Sequence, residues 1–430
     1  MDFPFLLQSV RMLLGLCLIA YIVYAGLSVW AARQWHRVRR PIDPDWMPSV
    51  TILKPVSGFD AYAYDNFASF CRLDYPCDRL QLIFGVLDPH DPALSLVRQL
   101  QQDFPEHDIC IVAPPEIQAP RGHNLKVCNL LSMLPAAKHD VLVLCDSDMR
   151  VMPDYLRKVV APFQRNTSSQ NSDMLNSARR NSVQQSLTRA NNPPAIGPMP
   201  ALPNIPVGLV TCPYRGFLPE SLPAKLEALG IGADFIPSTL VSRAVEGVGF
   251  AFGSTIAIPR HVLDEIGGFE AILDELADDF RLGNSVKQAG YEVVLSNYVV
   301  DDVLGQERFG PMWARRLRWA RTVQACRPVG YTGAFITYGT ALSLLFWAAM
   351  GCSALGWLVL MGVTLWRIGV SIYIGSAYTR DANVRLYWYL LPLSDLLGSA
   401  LYIASFFGRH ITWRGHRFRL YAGGRIERLA

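Results

Sequence analysis

At 430 residues the chain has room for two or three folded units. Hydrophobic residues make up 51% and charged residues 18%, a balance too apolar for an ordinary soluble protein and one that points to a membrane part. The net charge of +4 is too small to imply a nucleic-acid partner, and nine scattered cysteines without a Cys-x-x-Cys argue for reduced thiols in a cytosolic compartment and against zinc or a disulfide framework.

In chain order, Met12 to Ala32 is an apolar run of about 20 residues, the span of a bilayer core. Arg33, Arg37, Arg39 and Arg40 follow at once, which puts that end in the cytoplasm. The charge lies behind the apolar run, unlike that of a cleaved signal peptide, so residues 1–40 read as a retained anchor with a basic flank. A soluble α/β pattern begins after Pro48 and runs over 48–305. Strands are expected at Val50–Leu53, Leu82–Val86, Ile109–Val112 and Val141–Leu144, with helices at 64–71, 92–104 and 125–134 between them. Alternating strands and helices imply a mostly parallel sheet, with right-handed crossovers placing the strand ends along one edge.

Residues 165–204 are rich in Asn, Ser, Gln and Arg, then in Pro, and read as a disordered insertion. The pattern resumes with strands at 207–211, 254–258 and 292–296, a weakly amphipathic helix over 220–245, and a helix from Asp278 to Ala289. Over 306–330, Phe309, Met312, Trp313, Leu317, Ala320 and Val323 keep helical spacing while Arg315, Arg316, Arg318 and Arg321 fill other faces, as in a helix lying in the membrane interface. The stretch 334–407 holds two spans over Ala334–Ala377, with Arg367 as the one strong charge, and a third over Tyr387–Phe407. Residues 408–430 form a basic tail assigned to the cytoplasm. Three spans after a cytoplasmic domain would export that tail, so part of Ala334–Ala377 is expected to be re-entrant or interfacial.

The chemistry centres on carboxylates at strand ends. Asp146 and Asp148 close the run Val141–Leu144 in an Asp-Ser-Asp whose first and third residues point the same way. Two hard oxygen ligands on one side suit Mg²⁺ or Mn²⁺ with a diphosphate, although Asp-Ser-Asp is also common in turns. Asp88 follows another strand; as a helix cap it is less suitable than Asp91, which precedes Pro92. Asp278 and Asp279 open a helix, where the dipole keeps an acid ionised. His90, His123 and His261 have no metal-ligand spacing.

Together these residues resemble the ceramide-glucosyltransferase type of membrane glycosyltransferase (glycosyltransferase family 21 type), including its hopanoid-associated bacterial relatives. The resemblance rests on Asp88, on Asp146 in Cys145-Asp146-Ser147-Asp148, on Asp279 in Ala277-Asp278-Asp279-Phe280, on Arg315-Arg316-Leu317-Arg318-Trp319, and on Lys126, Asn129 and Leu130. It runs from about residue 48 to about residue 327 and is broken by the insertion.

It implies a GT-A-type, Rossmann-like α/β domain flanked by transmembrane helices. Asp88, Lys126, Arg315, Arg318 and Trp319 would contact the UDP-sugar, Asp146 and Asp148 a divalent cation, and Asp279, supported by Asp278, would be the general base. Some relatives have Gly at the Asp148 position, making Asp148 the secondary ligand. The implied reaction is inverting transfer of one sugar, glucose or N-acetylglucosamine, to the hydroxyl of a membrane lipid, ceramide or a hopanoid polyol. A processive polysaccharide synthase and an inactive scaffold are the rival readings. The expected setting is a multi-pass membrane protein with a cytoplasmic catalytic domain and no nucleic-acid partner. Compact loops and an Arg-rich, Lys-poor composition point to a bacterial inner membrane.

Overall fold

The computed structural model describes residues 3–38, 45–59, 61–117, 119–168 and 205–429. Most of the expected insertion therefore lies outside the described residues; its first residues complete the short helix Gln164–Ser168. The chain divides into two compact units, and both are discontinuous. One comprises Arg39–Pro213 and Val248–Val300; the other comprises Met1–Val38, Tyr214–Gly247 and Asp301–Ala430. This differs from a contiguous domain over 48–305, because the passage 214–247 folds with the other unit.

The first unit is built on a sheet whose strands are β1 (Val50–Pro55), β2 (Leu80–Gly85), β3 (Asp108–Val112), β4 (Val141–Leu144), β6 (Val207–Thr211), β8 (Ile256–Pro259) and β9 (Glu292–Leu295). A two-residue piece, β5 (Met149–Arg150), follows β4. The sheet order is β3-β2-β1-β4-β8-β6-β9. β1 lies parallel between β2 and β4, with Val50 opposite both Leu80 and Val141, while β8 runs antiparallel to β4 and β6. β1 and β2 are buried at every position, Thr51, Lys54 and Gln81 included, as in a strand covered on both faces. One core joins Leu53, Ile83 and Leu142 of the sheet to Val127 and Leu130 of helix Leu125–Met133 and to Leu282 and Val286 of helix Asp278–Gln288.

The second unit contains the apolar helices. Phe3–Arg37 and Ala354–Ile374 belong to stretches long and apolar enough to cross a membrane. The first exposes Leu13, Leu16, Ile19 and Val23 while burying Tyr21, Ala25 and Ser28, the division expected of a helix with one lipid face and one protein face. Pro328–Thr337 and Gly339–Ala349 form a pair bent by 62°, a broken span or a re-entrant loop. The span expected over Tyr387–Phe407 is shortened to the helix Leu391–Ser405. At 1.5 Å per residue it reaches only about 22 Å, less than a bilayer core of about 30 Å.

The remaining strands of this unit are β7 (Tyr214–Pro219), which neighbours β10 (Val300–Gly305), and a C-terminal sheet of β11 (His410–Trp413), β12 (His416–Leu420) and β13 (Ile426–Arg428). The basic tail is thus folded: Ile411, Phe418, Leu420 and Ile426 are buried, and Arg414 and Gly415, both at positive φ, make the two-residue turn between β11 and β12.

Candidate active site

Two helices begin at the edge of the sheet where β4 ends, and a loop-to-loop clamp sets their relative position. Asn124 caps Leu125–Met133, its Oδ1 accepting from the backbone N–H groups of Lys126 and Val127. The Asn124 backbone N–H donates to the Leu273 carbonyl at 2.8 Å, and its Nδ2 donates to the Glu275 carbonyl at 2.7 Å. The loop that leads into helix Asp278–Gln288 is therefore tied to the first turn carrying Lys126. Replacing Asn124 by Ala removes the cap and the side-chain link to Glu275 and leaves the backbone bond to Leu273. Thermal melts should show a loss of about 1–2 kcal/mol, with full stability in the variant contradicting the clamp.

Lys126 Nζ sits 2.7 Å from Asp146 Oδ1 and 3.2 Å from Asp278 Oδ2. Asp278 is buried, and among the described residues that oxygen makes no hydrogen bond despite its ion pair. Burial alone would lower the pKa of Lys126, but the negative charges of Asp146, Asp278 and Asp279 outweigh it and hold the ammonium firmly protonated. Asp279 is half-buried; its Oδ2 accepts from the Gly253 N–H at 3.1 Å and its Oδ1 from the Phe280 N–H at 2.7 Å. Burial, then the neighbouring Asp278, pushes its carboxyl up to about 6.

Two residues not singled out in the sequence complete the arrangement. Gly253 links the two acids: its carbonyl accepts from the Asp146 N–H at 3.1 Å while its own N–H serves Asp279. A Cβ at this position would lie 2.4 Å from Asp146 Oδ2 and 3.0 Å from Lys126 Nζ. Gly253→Ala should therefore cut turnover by at least about tenfold while the far-ultraviolet circular dichroism is preserved. Wild-type turnover would show that Asp146 can move freely. Lys54, fully buried at the end of β1, donates to the Asp146 backbone carbonyl at 2.9 Å and lies 3.8 Å from the centre of the Phe70 ring. Burial pulls its pKa down. No local pattern marks either residue, because each acts through contacts distant in sequence.

Asp88 lies just beyond β2 and is exposed; its Oδ1 accepts from the His90 N–H at 2.8 Å. It follows the carboxyl end of a strand parallel to β1, as Asp146 follows that of β4. Asp91 has the supporting role, accepting from the N–H groups of Gly58 and Ala93. Asn129 holds the end of β2 by donating to the Gly85 carbonyl at 2.7 Å. Asp148 is exposed beyond β4.

Among the described residues no group of three or more His, Cys, Asp or Glu side chains could hold a metal ion. A site for Mg²⁺ or Mn²⁺ does not need one, since these ions complete their shells with water and substrate phosphate. The donor set of Asp146 and Asp148 fits that chemistry, and Gly253 leaves clear the space beside Asp146 Oδ2 that a Cβ would fill.

In the other unit, Arg315, Arg318 and Trp319 lie on helix Phe309–Cys326. Arg315 Nε donates to Glu227 at 3.0 Å, and its Nη2 is shared between Glu227 and Glu307. Its guanidinium also lies 5.9 Å from the Trp319 ring centre, and that of Arg318 lies 5.5 Å from the Trp413 ring centre. Arg315 is thus engaged by two carboxylates, an occupation that the motif alone did not indicate.

A seven-stranded, largely parallel sheet with acids at its strand ends, in a chain with membrane-length helices, defines a GT-A-type glycosyltransferase of the membrane. The family model for glycosyl transferase family 21 matches residues 12–191 and 199–426, and the chain belongs to that family. It is 21% identical to ceramide glucosyltransferase 1 of Caenorhabditis elegans over 434 residues, covering 96% of this chain and 80% of that protein. It is 30% identical to the ceramide glucosyltransferase of Candida albicans over 132 residues, 29% of this chain and 24% of that one. The fold is similar to that of a mannosyltransferase from Pyrobaculum calidifontis, solved in complex with GDP-Man and Mn²⁺. That match has a TM-score of 0.51 and 16% identity and covers 93% of this chain and 99% of that one.

Proposed function

We propose that this protein transfers a single sugar, glucose or N-acetylglucosamine, from a UDP-sugar to the hydroxyl of a membrane lipid, either ceramide or a hopanoid polyol. The observation that carries this reading is the placement of Asp279. It is a half-buried carboxylate with a raised pKa that opens a helix and shares Gly253 with Asp146. The relationship to ceramide glucosyltransferases supports a lipid acceptor.

Asp279 takes the proton of the acceptor hydroxyl as its oxygen forms a bond to the anomeric carbon. The bond from that carbon to the UDP oxygen breaks on the opposite face, so configuration inverts and UDP leaves. Asp278 and Lys126 hold the local charge balance, and Lys126 brings a fixed positive charge to the diphosphate side. Asp146 and Asp148 would hold a divalent cation, which supplies neutralisation of the charge on departing UDP. Asp88 contacts the uridine, and Arg318 and Trp319 cover the donor, with Arg315 as their support through its pairs with Glu227 and Glu307.

The full chain in lipid nanodiscs, supplied with either UDP-sugar, Mn²⁺ and either lipid, should form a glycolipid heavier by one hexose or one N-acetylhexosamine by mass spectrometry. EDTA should abolish the product. A ladder of oligomers would instead establish a processive synthase, no product from any pair would leave the scaffold reading, and full activity in EDTA would remove the cation from Asp146 and Asp148.

A further inference from the structure

The C-terminal sheet sorts its residues by face. Ile411 lies opposite Phe418 and Trp413 opposite His416, and this side supplies the buried residues together with Leu420 and Ile426. The other side carries His410 opposite Arg419 and Thr412 opposite Arg417, all four exposed, with Glu427 of β13 opposite Arg419. Residues 408–430 hold six arginines and one acidic residue, Glu427, which accepts a hydrogen bond from the Tyr421 hydroxyl. Among the described residues the guanidinium groups of Arg409, Arg417 and Arg425 have no hydrogen-bond or ion-pair partner. That of Arg419 lies 5.4 Å from the Tyr421 ring centre. Like charges gathered on so small a sheet repel one another, and nothing within the sheet offsets them.

The sheet is fixed beside an apolar surface of its own unit. Helix Leu391–Ser405 exposes Leu393, Leu396 and Ile403, the exposed Phe406 and Phe407 follow, and β11 begins three residues later at His410. Arg321, on the basic helix Phe309–Cys326, donates to the carbonyls of Phe407 and His410 and so holds this junction. Cys326 Sγ donates to the Gly423 carbonyl at 3.7 Å and holds the far side of the sheet to the same helix. The inner face is thus occupied, and the arginine-bearing face is left open where apolar side chains give way to charged ones.

We infer that this open face docks on the phosphate headgroups of anionic phospholipids. Arg417 and Arg419 meet the phosphodiester oxygens, whose geometry matches the donor fork of a guanidinium. The arginines around them add attraction toward a negative membrane surface. Phe406 and Phe407 set the occupant as a lipid surface and not a dissolved anion, since they offer an apolar layer the contact it requires directly beside the charged face. The inference stands apart from the sugar transfer proposed above and gives the folded C-terminus a partner of its own.

The test uses the full wild-type chain in phosphatidylcholine nanodiscs, with and without phosphatidylglycerol. The arginine reagent phenylglyoxal is added and its adducts are mapped by mass spectrometry, with N-acetylarginine amide as the internal standard. Phosphatidylglycerol should slow the modification of Arg417 and Arg419 about fivefold, the shift expected of an arginine held at an anionic surface. Arg428 shares the other face with Phe418 and bonds His416 at 2.9 Å, and its rate should change less than about twofold. Salt at about 1 M, where the Debye length falls to about 3 Å, should remove most of the protection. In the double variant Arg417→Gln, Arg419→Gln, the neighbouring Arg409 should lose its own dependence on phosphatidylglycerol. Equal rates for Arg417 and Arg419 in the two nanodiscs, or equal protection of Arg428, overturns the inference. So does the same protection from inorganic phosphate in neutral nanodiscs, which would make the face a site for free anions. Protection of Arg409 that persists in the double variant places the lipid contact elsewhere and overturns it as well.

Discussion

Replacing Asp279 by Asn is expected to reduce kcat by about 10² to 10⁴, the range lost with a general base, while UDP binding changes little. The substitution keeps the size of the side chain, and its amide oxygen can still accept from one of the two N–H groups, that of Gly253 or that of Phe280, that hold the two carboxylate oxygens. What it removes is the basic oxygen. Titration calorimetry with UDP and single-turnover transfer separate the two properties. A variant that transfers normally would assign the base elsewhere, and one that loses UDP binding would make Asp279 part of the donor site.

As the proposed base, Asp279 should also set the pH profile. A base must be deprotonated to act, so activity should rise with pH through its pKa and then level off. Burial and the neighbouring Asp278 place that pKa at about 6. A bound divalent cation stabilises the ionised form and moves the midpoint lower, so the acid limb should fall at or below about pH 6. A midpoint above pH 7 would point to a different titrating group.

The largest loss of stability is expected from Arg367→Leu. The substitution leaves Asp395, which is 0% exposed, and Asp234 facing each other without a counter-charge. Removing one partner of a buried ion pair costs about 3–5 kcal/mol, chiefly through the uncompensated charge left behind. The loss should be recovered when both carboxylates are also replaced by Leu, since an apolar cluster of similar volume has no desolvation cost. Thermal melts of the single and triple variants in detergent distinguish the two situations. Equal melting temperatures for wild type and Arg367→Leu would show that the network contributes nothing to stability.

Much of the acid-bearing unit was legible because its signals are local. Val50–Leu53 and Val141–Leu144 are short apolar runs with carboxylates or turns behind them, and they form β1 and β4. The helix at Asp278 begins where its two acids suit the dipole, and it ends at Gln288. The burial of Lys54 beneath Asp146 follows from strand order, which periodicity does not reveal. Gly253 matters because two carboxylates, far apart in the chain, approach it closely.

The errors came from the membrane part. Counting apolar residues gave a span over Tyr387–Phe407, but Pro392 marks a helix start and Asp395 forms a buried pair, leaving a shorter element. The six arginines near the C-terminus concealed an alternation in which Ile411, Phe418 and Leu420 share one buried face. Arg367 stood out as a lone charge, and its partners come from segments well over a hundred and nearly thirty positions away.

The interleaving of the two units has a practical consequence for dissection. The chain passes between them four times, so the acid-bearing unit cannot be isolated by trimming the ends. A soluble fragment spanning 48–305 would carry Tyr214–Gly247 as an orphan, stranding Leu229 and Ala233 without the Val384 and Leu391 side chains that normally cover them. Excising that passage and joining Pro213 to Val248 through a flexible bridge removes the orphan and keeps the acid-bearing unit whole.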